Sequence, residues 1–365
     1  MKALIAGGGT GGHFYPGYAA ALELKKRGWQ LIFIVKENDP AIPTLEAAGL
    51  PWTPTDLTGM ARSLNPAKHF ALAVKLAKSV SLARHVIADW KPDIVIGTGG
   101  YVSFPAIFAA KLAGVPSMIH ESNAIFGLAN GLCAKIAAKV ALGLPLAKGQ
   151  LKTAQITGTP VRAAFAALPD RKTAAAFFSL DAAKKTVLVF GGSQGALGLN
   201  TGGLEAEKIC LSKMPDLQFL HIAGKKAYPQ LAAQQLPAGI KLVEYCDAMQ
   251  NAFAASDFIV CRSGASTAAE LIAAKKPAIL VPLPTAAANH QEYNARTLVY
   301  AGCALMVKEG QDFTARLSAA ILSMTSGETA AKMGQACAAS GFADPLKAAG
   351  AMADMAQQTA SHAKS

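Results

Sequence analysis

The chain opens with MKALIAGGGTGGHFYP (residues 1–16), a short apolar run followed directly by a glycine-rich turn. Such a run is typical of a buried strand of a parallel sheet. Glycines after it allow a tight turn into a helix whose first amides can hold an anion. The spacing Gly7-x-Gly9-x-x-Gly12 also matches the dinucleotide-binding fingerprint. The opening therefore predicts a Rossmann-like strand, turn and helix.

The same pattern recurs along the chain. Short apolar runs that end in a turn signal alternate with Ala- and Leu-rich helical stretches, which is typical of α/β proteins with parallel sheets. A second glycine turn occurs in TVLVFGGSQGALGLN (residues 186–200) and predicts a second Rossmann-like domain. The predicted strands are 2–6, 30–35, 94–97, 117–120, 140–142, 186–190, 219–223, 241–243, 258–261 and 278–281.

The stretch QITGTPVRAAF (residues 155–165) separates the two series of strands. It begins with a further strand, and that strand ends in a Gly/Pro turn. We expect a first domain of residues 1–161 and a second of residues 162–343. The stretch at about residues 344–360 has a helical pattern with no strand after it, so we expect it to pack back on the first domain.

The net charge of +12 is concentrated in the first domain. Residues 1–161 carry 16 Lys or Arg against 8 Asp or Glu, which favours an anionic partner. On a helix, Lys68, Lys75 and Lys78 fall on one side beside Leu72, within a basic stretch that also contains Arg62. This side is either an ordinary solvated face or a contact with a membrane surface.

Several classes of protein are disfavoured by what the sequence lacks. We find no secretory signal and no apolar run long enough to span a membrane. The six cysteines have neither the spacing of a metal site nor the density of a disulfide scaffold, which suggests free thiols in a reducing cytoplasm. No metal-ligand cluster, Asp-x-Asp pair or GxSxG elbow occurs, so we expect neither a metal nor a serine nucleophile.

Polar groups at strand ends are the candidates for chemistry. His13 lies where the first turn becomes a helix, whose dipole disfavours a positive charge and suits a neutral base; otherwise it merely fills the turn. Glu270, in CRSGASTAAE (residues 261–270), is either the last residue of a Thr267-x-x-Glu270 capping box or an acceptor for ribose hydroxyls. A dinucleotide site also requires an acid at the end of the second strand, and Glu37 is displaced from that position.

The order of the motifs resembles that of the GT-B glycosyltransferases and, more narrowly, of the MurG family of bacterial peptidoglycan synthesis. The resemblance extends from Met1 to about Lys308. It is carried by GGTGGHFYP (8–16), GTGGYVSFP (97–105), HESN (120–123), TGTPVR (157–162), GGSQGA (191–196), CRSGASTAAE (261–270) and NHQEYNA (289–295).

The resemblance implies two Rossmann-like domains with parallel sheets facing an inter-domain cleft, and a role for each motif. UDP-GlcNAc would contact residues of both domains, and lipid I, the undecaprenyl-linked MurNAc-pentapeptide, would contact the first domain. The implied donor contacts are Thr10, Gly11, Gly12, Asn123, Arg162, Ser193, Cys246, Ala265, Ser266, Thr267, Ala268, Ala269, Glu270, His290 and Gln291. The implied acceptor contacts are Tyr101 and Glu121, together with Thr10, Gly11 and Gly12.

The implied reaction is an inverting transfer of GlcNAc to the C4 hydroxyl of MurNAc, which gives lipid II and UDP without a metal or other cofactor. His13 is our first candidate for the base and Glu121 the second. The resemblance also implies a peripheral protein on the cytoplasmic face of the bacterial inner membrane, with the basic helix on the anionic leaflet. Cell-wall and division proteins would be further partners, and nucleic acid would not.

The chain departs from the family pattern at four positions. Ser122, Thr159, Leu197 and His290 stand where Gln, Asn, Arg and Gln are common. Leu197 removes a positive charge close to the expected diphosphate.

Three other functions compete with transfer. A UDP-GlcNAc 2-epimerase would bind the same donor without a lipid acceptor, an NAD-dependent dehydrogenase would use the first turn only, and a nucleic-acid-binding protein would use the charge alone. The polar clusters at strand ends in both domains favour the transferase.

Overall fold

The computed structural model describes residues 1–57, 66–192, 195–326 and 328–362. The chain divides into two compact units, Met1–Pro160 with Ala343–Ser365, and Val161–Phe342. Each unit is built on one parallel sheet, so the predicted α/β class with two Rossmann-like domains is confirmed.

In the described part of the first unit, seven strands pair in the order β3-β2-β1-β4-β5-β6-β7. They are β1 Lys2–Ala6, β2 Gln30–Lys36, β3 Trp52–Thr55, β4 Ile94–Gly97, β5 Ser117–Glu121, β6 Lys139–Leu142 and β7 Ala154–Ile156. The helices of this unit are α1 Gly11–Lys26, α2 Ile42–Ala47, α3 Pro66–Trp90, α4 Ser103–Leu112, α5 Leu128–Cys133 and, from the end of the chain, α14 Ala348–His362.

In the described part of the second unit, six strands pair in the order β10-β9-β8-β11-β12-β13. They are β8 Lys185–Phe190, β9 Leu217–Ile222, β10 Ile240–Val243, β11 Phe258–Cys261, β12 Ala278–Leu280 and β13 Ala304–Met306. The helices are α6 Arg171–Phe177, α7 Leu204–Lys213, α8 Tyr228–Ala232, α9 Met249–Ala255, α10 Ala265–Ala274, α11 His290–Tyr300, α12 Phe313–Thr325 and α13 Glu328–Ala339. Leu199–Gly203 forms a π-helical turn before α7.

Helices cover both faces of the first sheet. Leu24 of α1 and Met352 of α14 join the core on one face, and Ile107 of α4 joins the core on the other. The last helix thus completes the first unit, and Arg27 Nη1 donates to Asp354 Oδ1 at 2.7 Å on its outer side. No helix in the described ranges combines the length and apolar character needed to cross a membrane.

All of the predicted strands occur, and the two described strands that were not predicted, β3 and β13, lie at sheet edges. β3 contains Pro54, which argues against a strand in sequence. Proline lacks the N–H that a central strand needs for its second neighbour, but an edge strand has a neighbour on one side only. β3 can therefore pair with β2 alone, with Pro54 opposite Val35.

Candidate active site

The carboxyl ends of three adjacent strands bring the polar motifs of the first unit together. Ala6 of β1 pairs with Gly97 of β4, and Gly97 pairs with Ile119 of β5. The glycine turn, the GTGGY motif and the HESN motif therefore follow neighbouring strands at one edge of the sheet. Ligands of open α/β sheets bind at this edge.

His13 is held in the first turn of α1. Thr10 occupies the N-cap position but makes no side-chain cap bond. Its Oγ1 instead lies 3.2 Å from His13 Nδ1. Thr98 Oγ1 donates to the His13 carbonyl at 2.7 Å, which ties the helix start to the end of β4. The fixed backbone and the Thr10 contact together orient the imidazole.

Gly99 leaves the space that the His13 ring occupies. Its φ of +107° lies in the region that favours glycine, and a Cβ there would be 2.6 Å from His13 Cδ2. Ser103 Oγ lies 2.9 Å from Ala6 O and 2.8 Å from Gly99 O, so one hydroxyl connects the two loops. Sequence reasoning did not identify Ser103, because only the folded sheet brings it to the end of β1.

A side chain at position 99 is expected to displace the imidazole. We expect Gly99→Ala to lower kcat about 10- to 100-fold, the range seen when a reacting group is misplaced by about 1 Å. Gly114→Ala is the matched control, because Gly114 has a φ of +69° and a Cβ added there would have no atom within 4 Å. Steady-state kinetics measure both, and equal kcat values for the two variants would contradict this role of Gly99.

The Asp39 side chain holds the first glycine turn by hydrogen bonds to the backbone. This buried carboxylate accepts the Gly9 N–H at 2.6 Å through Oδ2 and the Ala41 N–H at 3.0 Å through Oδ1. Of the two acids that follow β2, Asp39 is thus committed to the turn itself, whereas Glu37 is exposed. Neither has the arrangement of a ribose-binding acid, which weakens the NAD hypothesis.

Glu121 is a buried carboxylate with four donors. Oε1 accepts from the backbone and side-chain amides of Asn123 at 3.0 and 2.9 Å. Oε2 accepts from Asn130 Nδ2 at 3.0 Å and from the Gly127 N–H at 3.3 Å. A carboxylate so occupied holds its loop and positions Asn123, and this geometry favours His13 as the base.

The remaining candidate residues of the first unit differ in their exposure to solvent. Tyr101 is about half exposed, at 46%. His120 is fully buried with Nε2 3.1 Å from Gly158 O, and burial lowers its pKa. Ser122 and Thr159, two of the family departures, are both buried. Ser122 Oγ lies 3.4 Å from His120 Nδ1, so the serine at this position makes a polar contact.

In the second unit, Arg162 and Glu270 form the main charged pair of the expected donor site. Arg162 Nη2 lies 3.5 Å from Glu270 Oε1, and Nη1 donates to the Asp247 carbonyl at 2.9 Å. Cys246 is partly buried next to that carbonyl. Burial raises the pKa of the Glu270 carboxyl, and the Arg162 guanidinium opposes the rise.

Helix α10 presents its N-terminus next to this pair. Its N-cap is Gly264, and Thr267 lies inside the first turn, so Thr267 and Glu270 do not form a capping box. The amides at the start of a helix have no intrahelical partners and favour an anion. Of the other expected contacts here, Ala265 and Thr267 are partly buried, Ser266 is exposed, and Ala268 and Ala269 are buried.

The turn before α11 places His290 and Gln291. Ala288 and Asn289 have φ values of 49° and 56°, a conformation that costs about 1–3 kcal/mol per non-glycine residue and is common at functional sites. His290 Nδ1 donates to Ala287 O at 2.8 Å, which leaves the lone pair on Nε2. Gln291 Oε1 accepts the Leu283 N–H at 3.0 Å.

The second glycine turn is described in part. Ser193, an expected diphosphate contact, lies outside the described residues, as does Arg62 of the basic stretch. Leu197, which stands where the family commonly has arginine, is 80% exposed. Within the described ranges, no group of three or more His, Cys, Asp or Glu side chains could hold a metal ion.

The exposed face of α3 combines cations with apolar side chains. Lys68 and Lys78 are exposed, and Leu72 is partly buried. Lys75 forms an ion pair with Asp56 at 3.0 Å, so its charge is partly neutralised within the protein, whereas the predicted contact of this side of α3 with a membrane stays a prediction. Phe70 is 74% exposed and lies about 160° from Lys68 around the helix axis, so it was not part of the predicted face.

The pKa of Glu270 predicts a pH effect. The resemblance implies that a ribose hydroxyl donates to the carboxylate, so we expect binding of uridine to weaken when pH falls through the raised pKa. Arg162→Ala removes the opposing cation, raises that pKa further and is expected to shift the acid limb of uridine affinity to higher pH. Uridine titrations over acidic to neutral pH measure the shift, and an acid limb that does not move would contradict it.

Comparisons with known proteins identify the family. The N-terminal domain of glycosyltransferase family 28 matches residues 3–142, and its C-terminal domain matches residues 186–348. A UDP-N-acetylglucosamine–N-acetylmuramyl-(pentapeptide) pyrophosphoryl-undecaprenol N-acetylglucosamine transferase of Elusimicrobium minutum is 40% identical over 97% of this chain and 98% of its own length. The enzyme of that name from Bacillus subtilis is 34% identical over 85% of this chain and 86% of its own length.

A solved structure agrees with the sequence relatives. The crystal structure of Acinetobacter baumannii MurG matches with a TM-score of 0.79 at 26% identity, and the match covers 98% of this chain and 99% of that one. The fold, the strand-end motifs and these matches together show that the chain belongs to the MurG family of N-acetylglucosamine transferases, within glycosyltransferase family 28.

Proposed function

We propose that this enzyme transfers GlcNAc from UDP-GlcNAc to the C4 hydroxyl of MurNAc in lipid I and so forms lipid II and UDP in peptidoglycan synthesis. The observation that carries the proposal is the 40% identity, over 97% of the chain, with a transferase of that name. The epimerase hypothesis lacks such support, because three relatives at 34–40% sequence identity all carry the transferase name.

His13 acts as the base in the proposed mechanism. When Nδ1–H donates to Thr10 Oγ1, the lone pair is on Nε2. Nε2 takes the proton of the C4 hydroxyl while O4 bonds to the anomeric carbon, and the bond from that carbon to the diphosphate breaks. One displacement inverts the configuration, the proton stays on His13, and the electron pair leaves with UDP.

Positively charged and N–H groups of the second unit stabilise the negative charge that develops on UDP in the proposed mechanism. The Arg162 guanidinium and the amides at the start of α10 attract the diphosphate, and preorganised donors of this kind stabilise a leaving group without reorganisation. Glu270 accepts from the ribose hydroxyls. His290 and Gln291 hydrogen-bond the GlcNAc hydroxyls, and His290 can do so despite replacing the common glutamine.

Acceptor-dependent release of UDP tests this function. The protein is incubated with UDP-GlcNAc and a lipid I analogue in EDTA. We expect UDP release that requires both substrates and persists in the chelator. UDP-GlcNAc turnover that is independent of the acceptor, or no release with competent substrates, would contradict the proposal.

We also propose that α3 contacts the anionic surface in which lipid I resides. At about 100° per residue, Phe70, Val74 and Lys78 follow one another along an exposed side of the helix. Lys68 is also exposed and lies about 80° from Lys78 around the helix axis. Exposed apolar and basic groups together favour binding to an anionic interface. Such a contact would bring the first unit next to the membrane-bound acceptor.

Neutralising Lys68 and Lys78 is expected to weaken vesicle binding about 30-fold, since each lysine near such a surface contributes about 1 kcal/mol. Lys75→Gln is the matched control with a smaller expected effect, because Asp56 already pairs with Lys75. Partitioning onto phosphatidylglycerol vesicles at low salt measures both. If the double variant partitions like the wild type, α3 is not the contact.

A further inference from the structure

The interior of the second unit contains a chain of three polar side chains that the proposed reaction does not use. Glu207 of α7, His221 of β9 and Asn200 of the π-helical turn are 0%, 1% and 3% exposed. His221 Nδ1 lies 2.6 Å from Glu207 Oε1, and Nε2 lies 3.0 Å from Asn200 Oδ1. Burial of such groups costs free energy unless they are hydrogen-bonded to one another.

The orientation of Asn200 fixes the direction of these bonds. Asn200 Nδ2 donates to the Ala223 carbonyl at 2.8 Å, so Oδ1 faces the ring and accepts. His221 Nε2 must then carry a proton. Whether the shared proton lies on Glu207 or on His221 Nδ1, Nε2–H donates to Asn200. Glu207 therefore keeps the His221 ring in a form with a proton on Nε2, which the hydrogen bond to Asn200 Oδ1 requires.

Asn200 connects this chain to the second glycine turn. Gly195 has a φ of +76°, and a Cβ there would lie 2.3 Å from Ala223 O, the carbonyl that Asn200 holds. The Asn200 N–H also donates to Ala196 O at 2.9 Å. The side chain and the backbone of one residue thus hold the turn against the end of β9.

The cluster is poorly suited to a purely stabilising role. Glu207 Oε2 has no hydrogen-bond partner in the described part of the chain. Replacing a buried ionic pair by apolar groups is often neutral or stabilising, so the pair is weak as a source of stability. A role in holding the Asn200 side chain in place explains why Glu207 and His221 are polar at these buried positions.

We propose that Glu207 and His221 are positioning residues that hold the second glycine turn, at Gly195 and Ala196, through Asn200. The inference rests on the proposed function, which assigns that turn to the donor diphosphate. Neither residue touches the substrate.

The test compares UDP with uridine, which lacks the diphosphate. We expect Glu207→Leu to raise the Kd of UDP about tenfold, because a displaced turn loses about one hydrogen bond to the diphosphate. The Kd of uridine is expected to stay within about twofold of the wild-type value. Glu207→Gln is expected to restore the UDP affinity, because its amide N–H can donate to His221 Nδ1 while Nε2–H still donates to Asn200. Isothermal titration calorimetry measures each Kd.

Gln218→Leu is the matched control. Gln218 lies on the same strand and is also buried, but its side chain bonds Asp181 and Thr186, at the opposite end of the strand from Ala223. We expect this variant to lose stability and to keep the wild-type ratio of UDP to uridine affinity. If Glu207→Leu does not fold, Asn200→Ala provides the same comparison and is expected to weaken UDP alone.

Two results would overturn the inference: an unchanged Kd of UDP in the folded variant, or equal rises in the Kd of UDP and the Kd of uridine. A wild-type protein that binds UDP no more tightly than uridine would instead contradict the assignment of the turn and the proposed function. The two failures are therefore distinguishable.

Discussion

His13→Ala is expected to lower kcat about 10²- to 10⁴-fold, the range for loss of a general base. The donor Kd is expected to stay near the wild-type value, because His13 acts on the acceptor hydroxyl and the groups proposed to hold the diphosphate, the ribose and the GlcNAc hydroxyls lie in the second unit. Single-turnover kinetics with saturating lipid I analogue measure the chemical step.

His85→Ala is the matched control for this loss. His85 is an exposed histidine of the same unit whose Nδ1 bonds within its own helix, to Ser81 O at 2.7 Å. We expect wild-type kcat for it. If His13→Ala turns over at the wild-type rate, the base is another group, and the buried, four-times-bonded Glu121 would have to be reconsidered.

Glu270→Gln is expected to weaken UDP binding about 10- to 100-fold, because a hydrogen bond to a charged group contributes about 1.5–3 kcal/mol. The loss is expected to be specific to the ribose. We expect the wild-type protein to prefer UDP to 2′-deoxy-UDP and the variant to lose most of that preference. Equilibrium binding of the two nucleotides measures the change.

Glu328→Gln is the control for Glu270→Gln. Glu328 is an exposed acid of α13 paired with Lys332 at 2.6 Å. We expect it to keep both the UDP affinity and the ribose preference. A Glu270→Gln protein that still distinguishes UDP from 2′-deoxy-UDP would show that another group reads the ribose.

The main strands could be predicted because their signals are local. Apolar runs such as residues 2–6 and 258–261 are buried on both faces and are followed directly by turn residues. The edge strands β3 and β13 lack a long apolar run in the sequence. Each is short and pairs with one neighbouring strand only, so tertiary pairing rather than a local pattern defines it.

The positions of His13 and Glu270 in helices that follow strands could be predicted because the glycine-containing turns before those helices are local signals, and the roles of both residues stay predictions. The groups that support these residues could not be predicted, because their partners are distant in sequence. Asp39 reaches Gly9 only after β1 and β2 pair, and His221 meets Glu207 only after α7 packs on β9. The ion pair of Lys75 with Asp56 likewise depends on tertiary packing.

The most direct test of the account follows the label from UDP-[¹⁴C]GlcNAc in the presence of lipid I and EDTA. The account predicts that the label enters the lipid fraction and is released from it as a β1,4-linked GlcNAc–MurNAc disaccharide. Label that stays in the nucleotide-sugar fraction as an epimer, with none in lipid, would contradict it.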